Sequence, residues 1–150
     1  LEWLQSNELH CNIEIKSNPH NYTKIEPMLV QMIHEYHLED RIIISSFNHY
    51  SIIYCYRIDP KIEIAPLIYE TLYMPWVYAD AIRAKGFHPN YKAAPMELIK
   101  EAIDQGMKVR PYTVNQIEDM KKLFEIKCTA FITDQVERAV GEQKKIGASG

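Results

Sequence analysis

The sequence has no run of about 18 apolar residues, so no segment reads as a membrane-spanning helix. It has three cysteines, Cys11, Cys55 and Cys128, widely spaced and without a CxxC pair. An odd, scattered set reads as free thiols in a reducing compartment, and a cytoplasmic location is expected on that basis. Glycine is scarce, at five residues, and no Gly-rich loop of the dinucleotide-binding type is present. Charge of one sign is not in excess: the net charge is -3 and the pI about 6.1. That balance excludes a broad electrostatic grip on nucleic acid or an anionic membrane, while leaving room for one local phosphate site. His34-Glu35-Tyr36-His37 is not a zinc-protease motif, because H-E-x-x-H needs a histidine where Leu38 stands. No signal peptide is visible, and the chain starts at Leu1 in a helix-like stretch, Leu1-Glu2-Trp3-Leu4. It is expected to begin downstream of its gene's start.

What is present is an ordinary globular composition over 150 residues, 47% hydrophobic and 25% charged. One domain over residues 1–143 is expected, followed by a small, polar, frayed tail over 144–150.

Short β-rich runs alternate with longer helical ones. Strands are expected at His10–Lys16, Arg41–Ser46, Ile62–Leu67, Gly86–Tyr91, Lys108–Val114 and Ala130–Asp134. Helices are expected around Ile25–Tyr36, Tyr50–Arg57, Tyr73–Lys85, Pro95–Gln105 and Gln116–Phe124. A strand every ~20–30 residues is the rhythm of parallel βα units. Pro95 suits a first helical turn and Gly106 a left-handed terminator. Asn115 with Glu118, and Thr23 with Glu26, resemble capping pairs. Met96, Leu98, Ile99, Ala102 and Ile103 form one apolar stripe, as a helix on a sheet needs. Six such units without a Gly-rich loop favour an α/β fold of the (β/α)8 TIM-barrel type over a doubly wound sheet. A closed barrel needs eight strands, so about six of eight units are expected here, the other two before Leu1. Two open strand edges would then make the piece behave poorly alone.

The most informative run is Asn12-Ile13-Glu14-Ile15-Lys16-Ser17. On a strand, Ile13 and Ile15 face one way and Glu14 and Lys16 the other, separated by roughly 6.6 Å of rise. In a barrel that would aim both charges inward at the strand's C-terminal end, where barrel active sites gather. A carboxylate there costs several kcal/mol unless it is paired or bound to a cation. Spacing alone leaves three readings open: a structural Glu–Lys pair, an edge strand with one wet face, and a site. His34 and His37 read as residues of a solvated helix face, as do Lys121 and Lys122. Tyr69, Tyr73, Trp76 and Tyr78 have a rough helical spacing that suits packing better than a ligand platform.

Five segments in order resemble the glycerophosphodiester phosphodiesterases. Ile13-Glu14-Ile15-Lys16 is similar to the family's "NIEIK" strand, and Asp40–Asn48 to its "DRVIISSFN" segment. His88-Pro89-Asn90-Tyr91 resembles its "HPNY" strand, Thr113-Val114-Asn115 its "WTVN" strand end, and Phe131–Asp134 its closing "IITD". The resemblance implies metal-dependent hydrolysis of glycerophosphodiesters to glycerol 3-phosphate and an alcohol, within lipid and glycerol metabolism. It makes Glu14 a metal ligand, for which Mg²⁺ or Ca²⁺ suits an oxygen donor set, and places Lys16 beside the phosphate. Phe47 is then a substrate contact or rim packing, and His88 a substrate contact or a structural histidine. Tyr112 stands where the family commonly has Trp, which alters the leaving-group pocket, and Ala130 stands for its usual Gly. The family's "HRG" strand, paired acidic ligands and second histidine have no counterpart in these residues, so the catalytic histidines are unassigned. The segment by itself is not expected to catalyse. The expected partner is a small-molecule glycerophosphodiester, with homo-oligomerisation open. The alternatives are an inactive barrel relative that binds a phosphorylated ligand or a protein, and a phospholipase-like relative.

Overall fold

The computed structural model describes residues 1–16 and 25–147, so Thr23 and its expected capping role lie outside the described residues. Two compact units are present: Leu1–Leu67 with Val77–Gly86, and Ile68–Trp76 with Phe87–Gly150.

The first unit opens with the short helix α1 (Glu2–Gln5) and continues as β1 (Cys11–Glu14), α2 (Ile25–Glu35), β2 (Ile42–Ser46), α3 (His49–Ile58) and β3 (Glu63–Ile68). The last residue of β3 belongs to the second unit. The strands pair in parallel, β1 with β2 through Ile13↔Ile44 and Glu14↔Ser45, and β2 with β3 through Ile44↔Ile64 and Ser46↔Pro66. Parallel strands are covered on both faces, and β2 reads accordingly as an almost continuous buried run, Ile42-Ile43-Ile44-Ser45-Ser46. Strand β1 instead alternates, with Asn12 and Glu14 exposed. The Arg41 guanidinium donates to the Leu9 carbonyl (Nη2, 2.5 Å) and to Asn7 Oδ1 (3.3 Å), which pins the entry to β1. Helix α3 packs on β2 and against α2. Buried between the two helices, Glu26 accepts a hydrogen bond from Ser51 Oγ at 2.6 Å.

Helix α4 (Pro75–Ala81) is shorter than the helix expected over Tyr73–Lys85. Met74 is left-handed (φ 49°) at its start and Arg83 (φ 67°) past its end. Neither conformation continues an α-helix. Of the aromatic run, Tyr69 (63% exposed) and Tyr73 (86% exposed) therefore stand on a loop and contradict the packing expectation.

The second unit carries β4 (Gly86–Pro89, from Phe87 onward), α5 (Met96–Asp104), β5 (Lys108–Val109), α6 (Ile117–Glu125) and α7 (Val136–Gly147). Pairing between β4 and β5 continues past both strands: Arg110 N–H donates to Phe87 O, Tyr112 N–H to Pro89 O, and Asn90 bridges Tyr112 in parallel. Phe87, Ile99, Val109, Met120 and Leu123 form the core. Pro95 is the residue before α5, one place earlier than expected.

The expected sixth strand, Ala130–Asp134, does not form a strand. Backbone bonds Ile132 N→Pro111 O (2.9 Å) and Val114 N→Ile132 O (2.8 Å) set it beside the β5 extension. Pro111 has no N–H to continue a ladder, and the side chain of Asn115 takes over. Asn115 Oδ1 accepts from Asp134 N (2.9 Å) and Thr133 Oγ1 (3.1 Å), while its Nδ2 donates to Asp134 Oδ2 (2.9 Å). Asn115 is thus a clasp rather than a helix cap, and Gln116 holds the cap position of α6 without a side-chain bond. The expected tail also differs: α7 runs through Gly147, with Lys145 paired to Glu142 at 2.5 Å one turn back.

Four helices share one ending. After α2, α4, α5 and α6 the chain turns through a left-handed residue, His37 (φ 54°), Arg83 (φ 67°), Gly106 (φ 84°) or Lys127 (φ 54°). In each case the next residue donates back across five positions, as in Cys128 N→Leu123 O. This is the Schellman closure, which satisfies carbonyls left open at the helix end. Only Gly106 adopts it without the Cβ penalty. Lys127→Gly should therefore raise stability by about 0.5–1 kcal/mol, after the extra unfolded-state freedom of glycine is offset. A rise in the urea midpoint at unchanged slope would show it; a lowered midpoint would contradict it.

All three cysteines are free. Burial, with the Glu26 carboxylate second, pushes the Cys55 thiol up to about 12, and burial pushes Cys128 up to about 11. Both stay protonated at neutral pH. Among the described residues no helix is long and apolar enough to cross a membrane.

Candidate active site

In the first unit, Glu14, Lys16 and Phe47 stand at or just past the C-terminal ends of two adjacent parallel strands. Glu14 ends β1 opposite Ser45, and Lys16 follows two residues on. Both side chains are exposed, while Ile15 between them is 3% exposed. The alternation expected of the run is therefore kept two residues beyond the strand. Phe47, 51% exposed, directly follows Ser46 at the end of β2.

A hydrogen-bonded turn holds this end of the unit. Ile15 N–H donates to Ser45 O (2.8 Å), and Ser46 Oγ donates to Ile15 O (2.7 Å). Ser46 Oγ also accepts from Asn48 N–H (3.0 Å), and Asn48 Oδ1 caps α3 by accepting from Tyr50 N–H (3.2 Å). His49 Nε2 donates to the Leu67 carbonyl at the end of β3 (2.9 Å). In the neutral ring this leaves Nδ1 to accept from the Tyr78 hydroxyl (2.7 Å). Burial raises the Tyr78 pKa, which keeps that hydroxyl a donor.

The other two expected substrate residues, His88 and Tyr112, belong to the second unit. His88 lies on β4 and is fully buried. Tyr112 is half-buried, and its hydroxyl donates to the Ile68 carbonyl at 3.1 Å. The same carbonyl accepts from Asn90 N–H at 2.8 Å, so the ring is anchored to the last residue of β3. A tryptophan at this position offers an N–H rather than a hydroxyl. Close by in sequence, Arg110 is 8% exposed, a buried cation that no sequence motif announced.

His34 lies exposed on α2 as expected, whereas His37 lies past the end of that helix. His34 Nε2 contacts Asp59 Oδ2 at 2.7 Å, and His37 is the left-handed residue ending α2. The Asp59 carboxyl lies below its ordinary value, first because it accepts from Lys61 N–H and then because of His34. Lys121 and Lys122 pair with Glu118 and Asp119 one turn away on α6.

The model of the glycerophosphoryl diester phosphodiesterase family matches residues 1–138. This chain belongs to that family. Among its relatives, the uncharacterized protein YqiK of Bacillus subtilis is 38% identical over 141 residues, covering 93% of this chain and 58% of that protein. A glycerophosphodiester phosphodiesterase of Caldanaerobacter subterraneus subsp. tengcongensis is 36% identical over 146 residues, covering 97% and 60%. The chain thus spans about 46–60% of the length of the curated relatives it matches. Among solved structures, an Oleispira antarctica phosphodiesterase in complex with sn-glycerol-3-phosphate superposes with a TM-score of 0.69 at 17% identity, covering 88% of this chain and 55% of that one. Similarity at that identity establishes the fold. The chain is part of a (β/α) barrel of the glycerophosphodiester phosphodiesterase type.

In that barrel class the active site lies at the C-terminal ends of the strands, the end at which Glu14, Lys16 and Phe47 stand. A carboxylate is a hard donor that suits Mg²⁺ or Ca²⁺, but such ions take six or more oxygens. Among the described residues no group of three or more His, Cys, Asp or Glu could hold an ion. Glu14 thus fits a divalent cation as one ligand and does not complete its site.

Proposed function

We propose that the protein carrying this chain hydrolyses glycerophosphodiesters to glycerol 3-phosphate and an alcohol. Water adds at phosphorus, the bond from phosphorus to the alcohol oxygen breaks, and the departing alcohol takes a proton. Dependence on a divalent metal is general in the family, and Mg²⁺ or Ca²⁺ is the ion proposed here. Glu14 would be one of its ligands. When bound, such an ion would neutralise charge on the phosphoryl oxygens.

The single observation that carries this reading is the exposed Glu14–Lys16 pair, one anionic and one cationic group on one side of a strand end. Lys16 supplies a compact positive charge to the phosphate. Phe47, exposed beside them, gives the glycerol an apolar edge. The resemblance alone assigns Tyr112 and His88 to the substrate. The acid–base groups are not assigned to this chain. A net charge of -3 supports a small-molecule partner rather than nucleic acid. Three free thiols suit the cytoplasm, which is part of the same proposal.

A substrate panel tests this. With Mg²⁺ or Ca²⁺ added, the protein as its gene encodes it should release glycerol 3-phosphate from deacylated phospholipids and leave intact phospholipids uncleaved. Cleavage of intact phospholipids instead would select a phospholipase-like activity. Binding of glycerol 3-phosphate with no turnover on any of the panel would select a non-catalytic binder.

A further inference from the structure

We propose that Ser46 is a positioning residue for Glu14 and Lys16; the proposal rests on the roles given to those two residues above. Pairing between β1 and β2 ends at Glu14↔Ser45. Beyond it the Ile15 N–H makes one more backbone bond to β2, and the chain then leaves the strand at Lys16. Ile15 is the single residue between the two charged side chains, so its backbone sets both their spacing and their aim.

That backbone is held from both sides by β2. Its N–H donates to Ser45 O at 2.8 Å, and its carbonyl accepts from Ser46 Oγ at 2.7 Å. Ser46 is 1% exposed, so water does not replace its hydroxyl readily. The orientation of the hydroxyl is fixed as well. Because Oγ accepts from Asn48 N–H at 3.0 Å, its own hydrogen is directed at the Ile15 carbonyl. Asn48 is anchored in turn as the cap of α3. A side-chain bond thus extends the register of β1 by one residue, to the point where Lys16 leaves the strand.

Ser46 needs no contact with substrate for this role. Placement errors of about 1 Å cost reactions of this kind up to about 100-fold. Loss of the hydroxyl should therefore act on ligand geometry more than on the fold.

The test uses the protein as its gene encodes it, with Ser46→Ala, Ser46→Thr, Ser46→Cys and Tyr78→Phe variants. Calorimetric titrations with Mg²⁺ or Ca²⁺ and with glycerol 3-phosphate are run alongside thermal melts and kcat/KM. Ser46→Ala should weaken both titrations about tenfold and lower kcat/KM by about 10–100-fold. Ser46→Thr, which keeps the hydroxyl, should stay within about threefold of wild type. Tyr78→Phe removes a bond from the same turn through His49, without touching Ile15. It should lower the melting temperature about as much as Ser46→Ala and leave both titrations unchanged. Should Ser46→Ala fail to fold, Ser46→Cys, a weak donor of similar size, carries the comparison and should lie between Ala and Thr. Wild-type titrations in Ser46→Ala or Ser46→Cys, or equal weakening in Tyr78→Phe, would overturn the proposal. Glu14→Gln is titrated in parallel. If it binds cation and glycerol 3-phosphate like wild type, the reading of Glu14 fails; if it binds weakly while Ser46→Ala does not, only the role of Ser46 fails.

Discussion

Glu14→Gln should lower glycerophosphodiester turnover by about 1,000-fold while leaving the fold intact. The substitution keeps size and backbone pairing, so the Glu14↔Ser45 register is retained. The side chain is exposed at a strand end, where substitutions shift stability by about 0.5 kcal/mol or less. What is lost is one negative charge. A neutral amide is a weaker partner for a hard divalent ion than a carboxylate, and groups that stabilise developing charge contribute about 100- to 1,000-fold each. The expected signature is a large fall in kcat/KM, a higher Mg²⁺ or Ca²⁺ concentration for half-maximal rate, and an unchanged melting temperature. A Glu14→Gln protein with normal turnover and normal metal demand would remove Glu14 from the site.

Ile44→Ala should have the largest effect on stability, a loss of about 2–5 kcal/mol. Ile44 is fully buried at the middle of β2, opposite Ile13 on one side and Ile64 on the other. Truncation removes three carbons from a strand covered on both faces, and a parallel ladder cannot collapse into the void without losing register. Ile44→Val removes one methylene and should cost about 0.5–1.5 kcal/mol. Chemical denaturation of both variants measures the series. Equal, small losses would show that β2 does not carry the core of its unit. Because β2 also carries Ser46, the alanine variant should weaken glycerol 3-phosphate binding at temperatures where it is partly unfolded, and only there.

Much of the fold was legible because parallel strands and their helices leave strong local patterns. Five of the six expected strands form, and the run Arg41–Ser46 could be read almost to the residue because a doubly covered strand is continuously apolar. The misreadings share a cause. Left-handed closures at His37, Arg83 and Lys127 carry no glycine, so composition marked only Gly106. The α4 boundaries were missed for the same reason. At Ala130–Asp134 the apolar run is real, but Pro111 withholds a ladder donor and Asn115 replaces the backbone with its side chain. No helix was expected at α7: its apolar stripe, Val136, Ala139 and Val140, is short and largely exposed, and the small, polar residues 144–150 read as a tail.

The candidate site was legible to a different degree. Glu14, Lys16 and Phe47 could be found because strand alternation and the family-like run pointed to the same residues. Nothing in the sequence disclosed that Ser46 bonds the Ile15 carbonyl or that His49 joins Leu67 to Tyr78. Those bonds link residues 18 to 31 positions apart, and one-dimensional spacing carries no trace of them. Arg110 was missed likewise, since its burial is a property of the folded second unit.

The most direct measurement is glycerol 3-phosphate released from a deacylated phospholipid by wild-type and Glu14→Gln proteins, each with Mg²⁺ or Ca²⁺ and with excess chelator. Release by wild type alone, abolished by the chelator, is the predicted result. Equal release by both proteins, or release that persists in chelator, would contradict a metal-dependent phosphodiesterase that uses Glu14.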